Sequence, residues 1–407
     1  MTYLNAKKYI KSAPDTKQES SAHILALLEA AGNPHKRIKY LRLAGSNGKT
    51  VCAEMLSSIM SKAGHRIGFL RMPILDEPRE NICIASQYLG MDSFAQLTER
   101  VRRISEKLEI TLSKAEIMLA VALLAFDSKQ CDLYVIESDH FGEDPSRFLP
   151  APFAAVICGT IPNGNTSEIS RIRSYIRKGV EEIVSAPQNS EAYRIISETC
   201  FSVNCRLTLP LRNQINISRM TLGGTEFSYK GREYKIKLCG EFQISNAVLA
   251  LEVADMLKRK GFNIPESAVC EGFDGLTIPA KFEVISLSPI IIVDSTHTPV
   301  AIEIVCDSLA NFKDTTGNKI RLCLPCGQIV NDYIKALEVR GYEIERIILP
   351  ESELSPALPE KTFFAKTPKA IAKKALENLQ GDTVLLISGD YPFVIPVRYQ
   401  LLATLGF

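Results

Sequence analysis

No stretch of this sequence approaches the roughly 18 consecutive apolar residues that a membrane-spanning helix needs. Its beginning is polar from Asn5 through Ser21, without the apolar segment of an export signal. Neither insertion nor export is expected, and the cytoplasm is the expected compartment. Charge of one sign is missing as well: 48 Lys and Arg face 46 Asp and Glu, the formal net charge is +2, and no run of like charges marks an interaction tail. Such a balance gives no whole-protein field to recruit nucleic acid or an anionic membrane, so neither is expected as a partner. A disulfide framework is excluded too. The cysteines number eleven, an odd count, and most sit in apolar runs, as at Cys131, Cys158, Cys239 and Cys323. That pattern suits small core residues in a reducing compartment. One close pair, Cys323-Leu324-Pro325-Cys326, has redox or zinc-ligand spacing, but a zinc site needs a second pair and none is evident. It reads as a strand end running into a turn. Internal repeats and low-complexity tracts are also absent. What is present is 407 residues, 46% apolar and 23% charged, enough for two or three domains with sizeable cores.

The most informative stretch is Ala44-Gly45-Ser46-Asn47-Gly48-Lys49-Thr50. Before it, Ile38 to Leu43 alternates like a short strand; after it, Val51 to Gly64 carries apolar residues at helical spacing. A glycine-bearing loop between strand and helix is the setting in which backbone N–H groups wrap a phosphate. Gly45 and Gly48 let the backbone approach an anion, and the helix directs its N-terminal dipole at it. Lys49 can reach terminal phosphates, and the Thr50 hydroxyl is placed for magnesium. The longer common form of this motif would have glycine five residues before Gly48, where Leu43 stands. An ordinary glycine turn is the alternative.

The short loop resembles the Gly-Ser/Thr-Asn-Gly-Lys phosphate loop of the Mur ligase superfamily. The lead-in from Leu27 to Arg37 is similar to the folylpolyglutamate and dihydrofolate synthase branch, whereas Thr50 is the residue the peptidoglycan ligases use. The resemblance implies an α/β fold: a P-loop ATPase domain with a small β-hairpin region (1–285), followed by a Rossmann-like C-terminal α/β domain (286–407). It also implies ATP and Mg2+, with small-molecule acid and amino-acid substrates and a monomeric enzyme.

Further matches place candidate residues. The strand Leu133 to Glu137 ends in a carboxylate, which a sheet can hold beside a phosphate loop on the neighbouring strand. Glu137 resembles the family's magnesium-binding glutamate, giving Thr50 and Glu137 as the expected metal ligands. Pro73 is kept from the family's Ser-Pro segment, but Met72 stands where the family has Ser, and a thioether cannot replace a hydroxyl on magnesium. After Glu137 the match lapses; Asp139 and His140 are substitute ligand candidates or plain surface residues. Around Asn163 the family's metal-binding histidine is absent. A helix is expected from Thr166 to Gly179, and Arg177-Lys178-Gly179 resembles a family segment whose lysine is often carbamylated, making Lys178 a catalytic candidate or a surface lysine.

The hairpin region runs from Cys205 to Leu238. Gln243 and Asn246 then match a segment that helps hold adenine and phosphates, with Phe242 in place of the family's His. Pro279-Ala280-Lys281-Phe282-Glu283-Val284 resembles Pro-Gly-Arg-Phe-Glu-Val, so Lys281 stands where the family has an ATP-contacting Arg. That exchange keeps the charge and loses the bidentate fork. Asp294-Ser295-Thr296-His297-Thr298-Pro299 resembles Asp-x-Ala-His-Asn/Thr-Pro, which makes Asp294 a ribose contact and His297 a phosphate or cleft residue. The catalytic candidates are therefore Lys49, Glu137, Lys178 and His297. The nucleotide candidates are Gly45, Ser46, Asn47, Gly48, Lys49, Thr50, Gln243, Asn246, Lys281, Asp294 and His297.

The activity implied is amide ligation through an acyl phosphate, folylpolyglutamate synthase-like, joining a folate and glutamate in one-carbon metabolism. A Mur-type ligase with another acid and amine is the second reading, and a nucleotide-binding relative with decayed metal sites the third.

Overall fold

The computed structural model describes the chain apart from residues 16–20, 38, 46, 73, 138–148, 163, 297, 354–357 and 407, and the side chain of 21. Two compact units emerge: Met1–Arg212 with Ser245–Phe273, and Asn213–Ile244 with Asp274–Phe407. The expected division at residue 285 falls inside the second unit. Of the hairpin region, residues 213–238 group with that unit, while residues 205–212 stay with the first.

In the first unit, strands β1 (Tyr40–Gly45), β2 (Ile67–Leu70), β3 (Ile82–Ile84), β4 (Gln87–Tyr88), β5 (Leu133–Glu137), β6 (Ala154–Cys158), β7 (Glu182–Ser185) and β8 (Arg206–Thr208) form one sheet. Their order is β4-β3-β2-β5-β1-β6-β7-β8. The pairs are parallel except β2–β3 and β3–β4. All six residues of β1 are buried, as a central parallel strand covered on both faces requires. Tyr40 joins an apolar cluster with the helices Tyr3–Ser12, Ser21–Ala30, Met91–Lys107 and Lys114–Ser128; Ala44 joins another with the helices Thr166–Tyr175 and Ser190–Ser202.

The helix Lys114–Ser128 shows how local sequence sets this core. Ser113 Oγ accepts from the Glu116 N–H at 3.3 Å while Glu116 Oε2 accepts from the Ser113 N–H at 2.7 Å, a reciprocal cap. From Ala115 to Phe126 every residue is buried. Phe126 lies across β2 at Gly68, where a Cβ would come within 2.4 Å of the ring. The helix Thr166–Tyr175 stops four residues before the expected Gly179, at Ile176, where the backbone leaves the helical region.

The second unit has a three-stranded antiparallel sheet, β9 (Ile215–Thr221), β10 (Gly224–Tyr229) and β11 (Arg232–Ile236), in the order β11-β10-β9. A six-stranded sheet follows, with β12 (Glu283–Leu287), β13 (Ile290–Asp294), β14 (Lys319–Cys323), β15 (Glu343–Pro350), β16 (Thr362–Ala365) and β17 (Thr383–Ser388) in the order β12-β13-β17-β14-β15-β16. Only β12–β13 is antiparallel among these pairs. One core cluster includes residues of the helices Pro299–Ala310 and Val330–Val339, another residues of Pro368–Leu376 and Tyr391–Leu405, as in a Rossmann-like α/β layer sandwich. Cysteine placement departs from expectation at Cys270, which is exposed, and at Cys131 and Cys326, which are half-buried. Among the described residues no helix is long and apolar enough to cross a membrane.

The contact at Gly68 yields a prediction. Gly68→Ala should lower unfolding stability by about 1–3 kcal/mol in a denaturant titration, because a new methyl must displace the Phe126 ring in a filled core. Stability equal to the parent would show that the ring has room to move.

Candidate nucleotide and metal site

The phosphate-loop candidate lies where β1 ends, and close packing explains both of its glycines. Gly45 has φ +111°, and a Cβ there would fall 2.0 Å from the Cys158 carbonyl oxygen of neighbouring β6. Gly48 has φ +82°, and its Cβ would fall 2.3 Å from Asn246 Oδ1. Gly48 is also the N-cap of the helix Lys49–Lys62 and brings no side chain to satisfy that helix's first N–H groups. Donors at the helix start are what an anion would meet. Asn47 is exposed at the loop tip, and Ser46 lies outside the described residues.

Lys49 is buried, and its Nζ donates to the Gly45 carbonyl at 2.8 Å, closing the loop on its own lysine. Burial pushes the Lys49 ammonium pKa down, opposed by the negative charge of Glu137 and, more weakly, by Cys158 and Glu168. Glu137 stands opposite Leu43 at the end of β5, with only 4% of its surface exposed. The Thr50 hydroxyl lies 3.3 Å from each Glu137 carboxylate oxygen. Thr50 and Glu137 thus place a hydroxyl and a carboxylate together, hard oxygen donors suited to magnesium.

The segment after β2 reaches this pair through its backbone. The Met72 N–H donates to Glu137 Oε2 at 3.5 Å, so the position that lost a hydroxyl still supplies a main-chain contact. Asn81 organises the segment: its Nδ2 donates to the Arg71 carbonyl at 2.9 Å, and its Oδ1 accepts from the Leu75 N–H at 2.9 Å. Arg71 pairs with Glu54 at 2.5 Å, one helical turn beyond Thr50. Sequence reasoning missed Glu54, Arg71 and Glu168. Nothing local marks them; only the fold brings 54 to 71 and 168 toward 49.

Of the two readings of Lys178, catalytic residue or surface lysine, its placement favours the second. It is exposed, in the turn after the helix Thr166–Tyr175. Its neighbours tie that turn to the beginning of β6: Arg177 donates to the Leu149 carbonyl at 2.8 Å, and the Glu181 N–H to the Phe153 carbonyl at 2.9 Å. The phosphate loop lies beside the other end of β6, at Cys158. A helix that leaves the carboxyl edge of a parallel sheet returns its chain to the opposite edge, and Lys178 is carried there. Asp139, His140, Asn163 and His297 lie outside the described residues.

Asn246, in the first unit, stands against Gly48 as above. Gln243, in the second unit, is fully buried and donates from Nε2 to the Lys281 carbonyl at 3.2 Å. Lys281 Nζ donates to Ser295 Oγ at 2.8 Å and sits 5.3 Å from the Tyr391 ring centre. Asp294 Oδ2 accepts from the Phe282 N–H at 2.7 Å. Burial raises the Asp294 carboxyl pKa, with the Lys281 charge opposing. The second unit therefore joins Gln243, Lys281 and Asp294 in one hydrogen-bonded group.

The depressed Lys49 pKa predicts a proton linkage. A polyphosphate at the loop favours the ammonium, so binding should take up a proton between the lowered free value and the higher bound value. Calorimetric titrations with ATP in buffers of different ionisation enthalpy should show this uptake on the alkaline side. Lys49→Met should abolish it; uptake unchanged in that variant would assign the proton elsewhere.

No protein-family model matches the chain. Among curated proteins it is similar to the dihydrofolate synthase/folylpolyglutamate synthase of Mycobacterium tuberculosis, 24% identical over 342 residues covering 74% of this chain and 68% of that protein. It is similar to that of Bacillus subtilis at 22% over 404 residues, covering 92% and 93%. Among solved structures, the folylpolyglutamate synthase of Thermotoga maritima superposes with a TM-score of 0.83 at 22% identity over 100% of this chain and 97% of the other. A folylpolyglutamate synthase in complex with AMPPCP and folate superposes with a TM-score of 0.81 at 19% identity over 99% and 100%. The curated proteins the chain resembles are folylpolyglutamate and dihydrofolate synthases, and over its whole length it has the fold of the solved folylpolyglutamate synthases.

Proposed function

We propose that the chain is an ATP-dependent ligase that activates a carboxylate as an acyl phosphate and joins it to an amine, with a folate and glutamate as the pair its relatives favour. The observation that carries the reading is the burial of Lys49 and Glu137 around a glycine loop, with the Thr50 hydroxyl 3.3 Å from the Glu137 carboxylate. In this reaction the γ-phosphoryl group passes from ATP to a carboxylate oxygen and ADP departs. The amine nitrogen then attacks the acyl carbon, phosphate leaves with the C–O bond electrons, and the nitrogen loses a proton. Catalysis of the first step is positioning and charge stabilisation. Lys49 and the backbone N–H groups at the start of the helix Lys49–Lys62 neutralise phosphate charge, while Gly45 and Gly48 allow the approach. Magnesium, held by Thr50 and Glu137, would supply positive charge against the phosphates. Lys281 and Asp294 are proposed as nucleotide contacts, with His297 beside them in sequence.

The relatives' names support folate and glutamate, and the AMPPCP and folate complex is a property of that neighbour. Small acid and amino-acid substrates, a monomer and a cytoplasmic setting complete the reading. A second reading, a ligase of the same mechanism for another acid and amine, is favoured by Met72 standing beside Glu137 and by the placement of Lys178 away from the loop.

A phosphate-release assay tests the function. With ATP and magnesium, phosphate should appear only when a carboxylic acid and an amine are supplied together. Tetrahydrofolate or dihydropteroate with glutamate should be the productive pair, and Glu137→Gln should cut the rate by about a hundredfold or more. Turnover only with other pairs would establish the second reading. Tight ATP binding with no turnover on any pair would contradict ligation.

A further inference from the structure

The segment Pro279 to Glu283 holds the least ordinary backbone of the second unit. Ala280 has φ +55° and Phe282 φ +52°, the left-handed region that side-chain-bearing residues rarely enter. Both residues are buried. Between them stands Lys281, half-exposed, with its Nζ on Ser295. Two left-handed residues so close together persist only where the surroundings over-determine them.

The surroundings do so through carboxylates. Glu283 Oε2 accepts from the Ala280 N–H at 2.9 Å. Asp294 Oδ2 accepts from the Phe282 N–H at 2.7 Å, and the Ala280 carbonyl accepts from the Ser295 N–H at 2.8 Å. Gln243 takes up the Lys281 carbonyl. Glu283 is in turn fixed by Arg398 on the C-terminal helix Tyr391–Leu405. The guanidinium donates from Nε to Oε2 at 2.6 Å and from a terminal nitrogen to Oε1 at 2.5 Å, in a fork with each side chain only 14% exposed. The first residue of the same helix, Tyr391, donates from its hydroxyl to the Pro279 carbonyl at 3.3 Å and lays its ring under the Lys281 ammonium. One helix therefore grips this loop at two points, neither of them on the side chain of Asp294.

We infer that Arg398, acting through Glu283, is a positioning residue for nucleotide binding: the bidentate pair keeps the Ala280 backbone left-handed and thereby fixes where the neighbouring Lys281 presents its ammonium. The inference rests on the proposed role of Lys281 and Asp294 as nucleotide contacts. A fork of two charge-assisted hydrogen bonds supplies both the strength and the orientation that a single lysine contact would lack. Glu283, having given one oxygen to both Arg398 and the Ala280 N–H, transmits the helix position directly into the strained residue.

The test is a titration of magnesium and a fluorescent ATP analogue into the full chain and a set of variants whose melting temperatures are followed in parallel. Lys281→Ala should weaken binding by about tenfold, as expected for a lost charged contact. Arg398→Met should weaken it by a similar factor and Arg398→Lys by less. The Lys281→Ala/Arg398→Met double variant should bind no worse than Lys281→Ala, since Arg398 acts through what Lys281 does. Adding Ala280→Gly to Arg398→Met should recover most of the affinity, because glycine enters the left-handed region without help. Should Arg398→Met fail to fold, the lysine variant carries the same comparisons. Losses that multiply in the double variant, or no rescue by glycine, would mark Arg398 as a purely structural residue and overturn the inference while the function stands. Wild-type affinity in Lys281→Ala would instead remove Lys281 from the nucleotide site and the inference with it.

Discussion

The contact on which the candidate site depends is that of the Gly45 backbone against the Cys158 carbonyl. No side chain can stand between them, because its first carbon would lie 2.0 Å from that oxygen. With β1 and β6 pressed together, the chain must turn at once, and it does so through left-handed glycines into the helix Lys49–Lys62. That turn sets where Lys49 buries its ammonium and where Thr50 meets Glu137. Burial then acts on the chemistry: it lowers the Lys49 pKa, against the charge of Glu137, and the further negative charge of a phosphate would favour the ammonium that burial disfavours.

The second unit solves a related problem without glycine. At Ala280 and Phe282 the left-handed turns cost of the order of 1–3 kcal/mol each. Asp294 and Glu283 offset that cost by accepting the N–H groups of those residues. Asp294 is therefore both a structural acceptor and a nucleotide candidate. Its conversion to Ala would release the loop as well as remove a carboxylate. Effects at Asp294 are best read against Lys281, whose ammonium does not support the backbone.

Legibility in the sequence followed the range of the forces involved. The loop from Gly45 to Thr50, flanked by an apolar strand and an amphipathic helix, was readable because the turn, the dipole and the lysine all lie within six residues. Glu137 was readable from its place at a strand end, since a parallel sheet aligns such ends. Lys178 became a candidate through a resemblance in a stretch whose spacing reads as helix to Gly179, whereas the helix ends at Tyr175 and the following turn lies at the start of β6, away from the phosphate loop. Pairs such as Arg71 with Glu54 and Arg398 with Glu283 were invisible, since 17 and 115 residues separate the partners and no local pattern joins them. The grouping of 213–244 with the C-terminal unit was hidden for the same reason: connectivity in sequence does not state which core a hairpin joins.

The central claim is that this site makes an acyl phosphate, and the fate of the acid's oxygen tests it most directly. If the acid is supplied with its carboxylate labelled with oxygen-18, one labelled oxygen should leave in the phosphate released during amide formation, visible as an isotope-shifted phosphorus resonance. Phosphate that carries no label while the amide accumulates would contradict the account, because the carboxylate would then have been activated by some group other than the γ-phosphoryl.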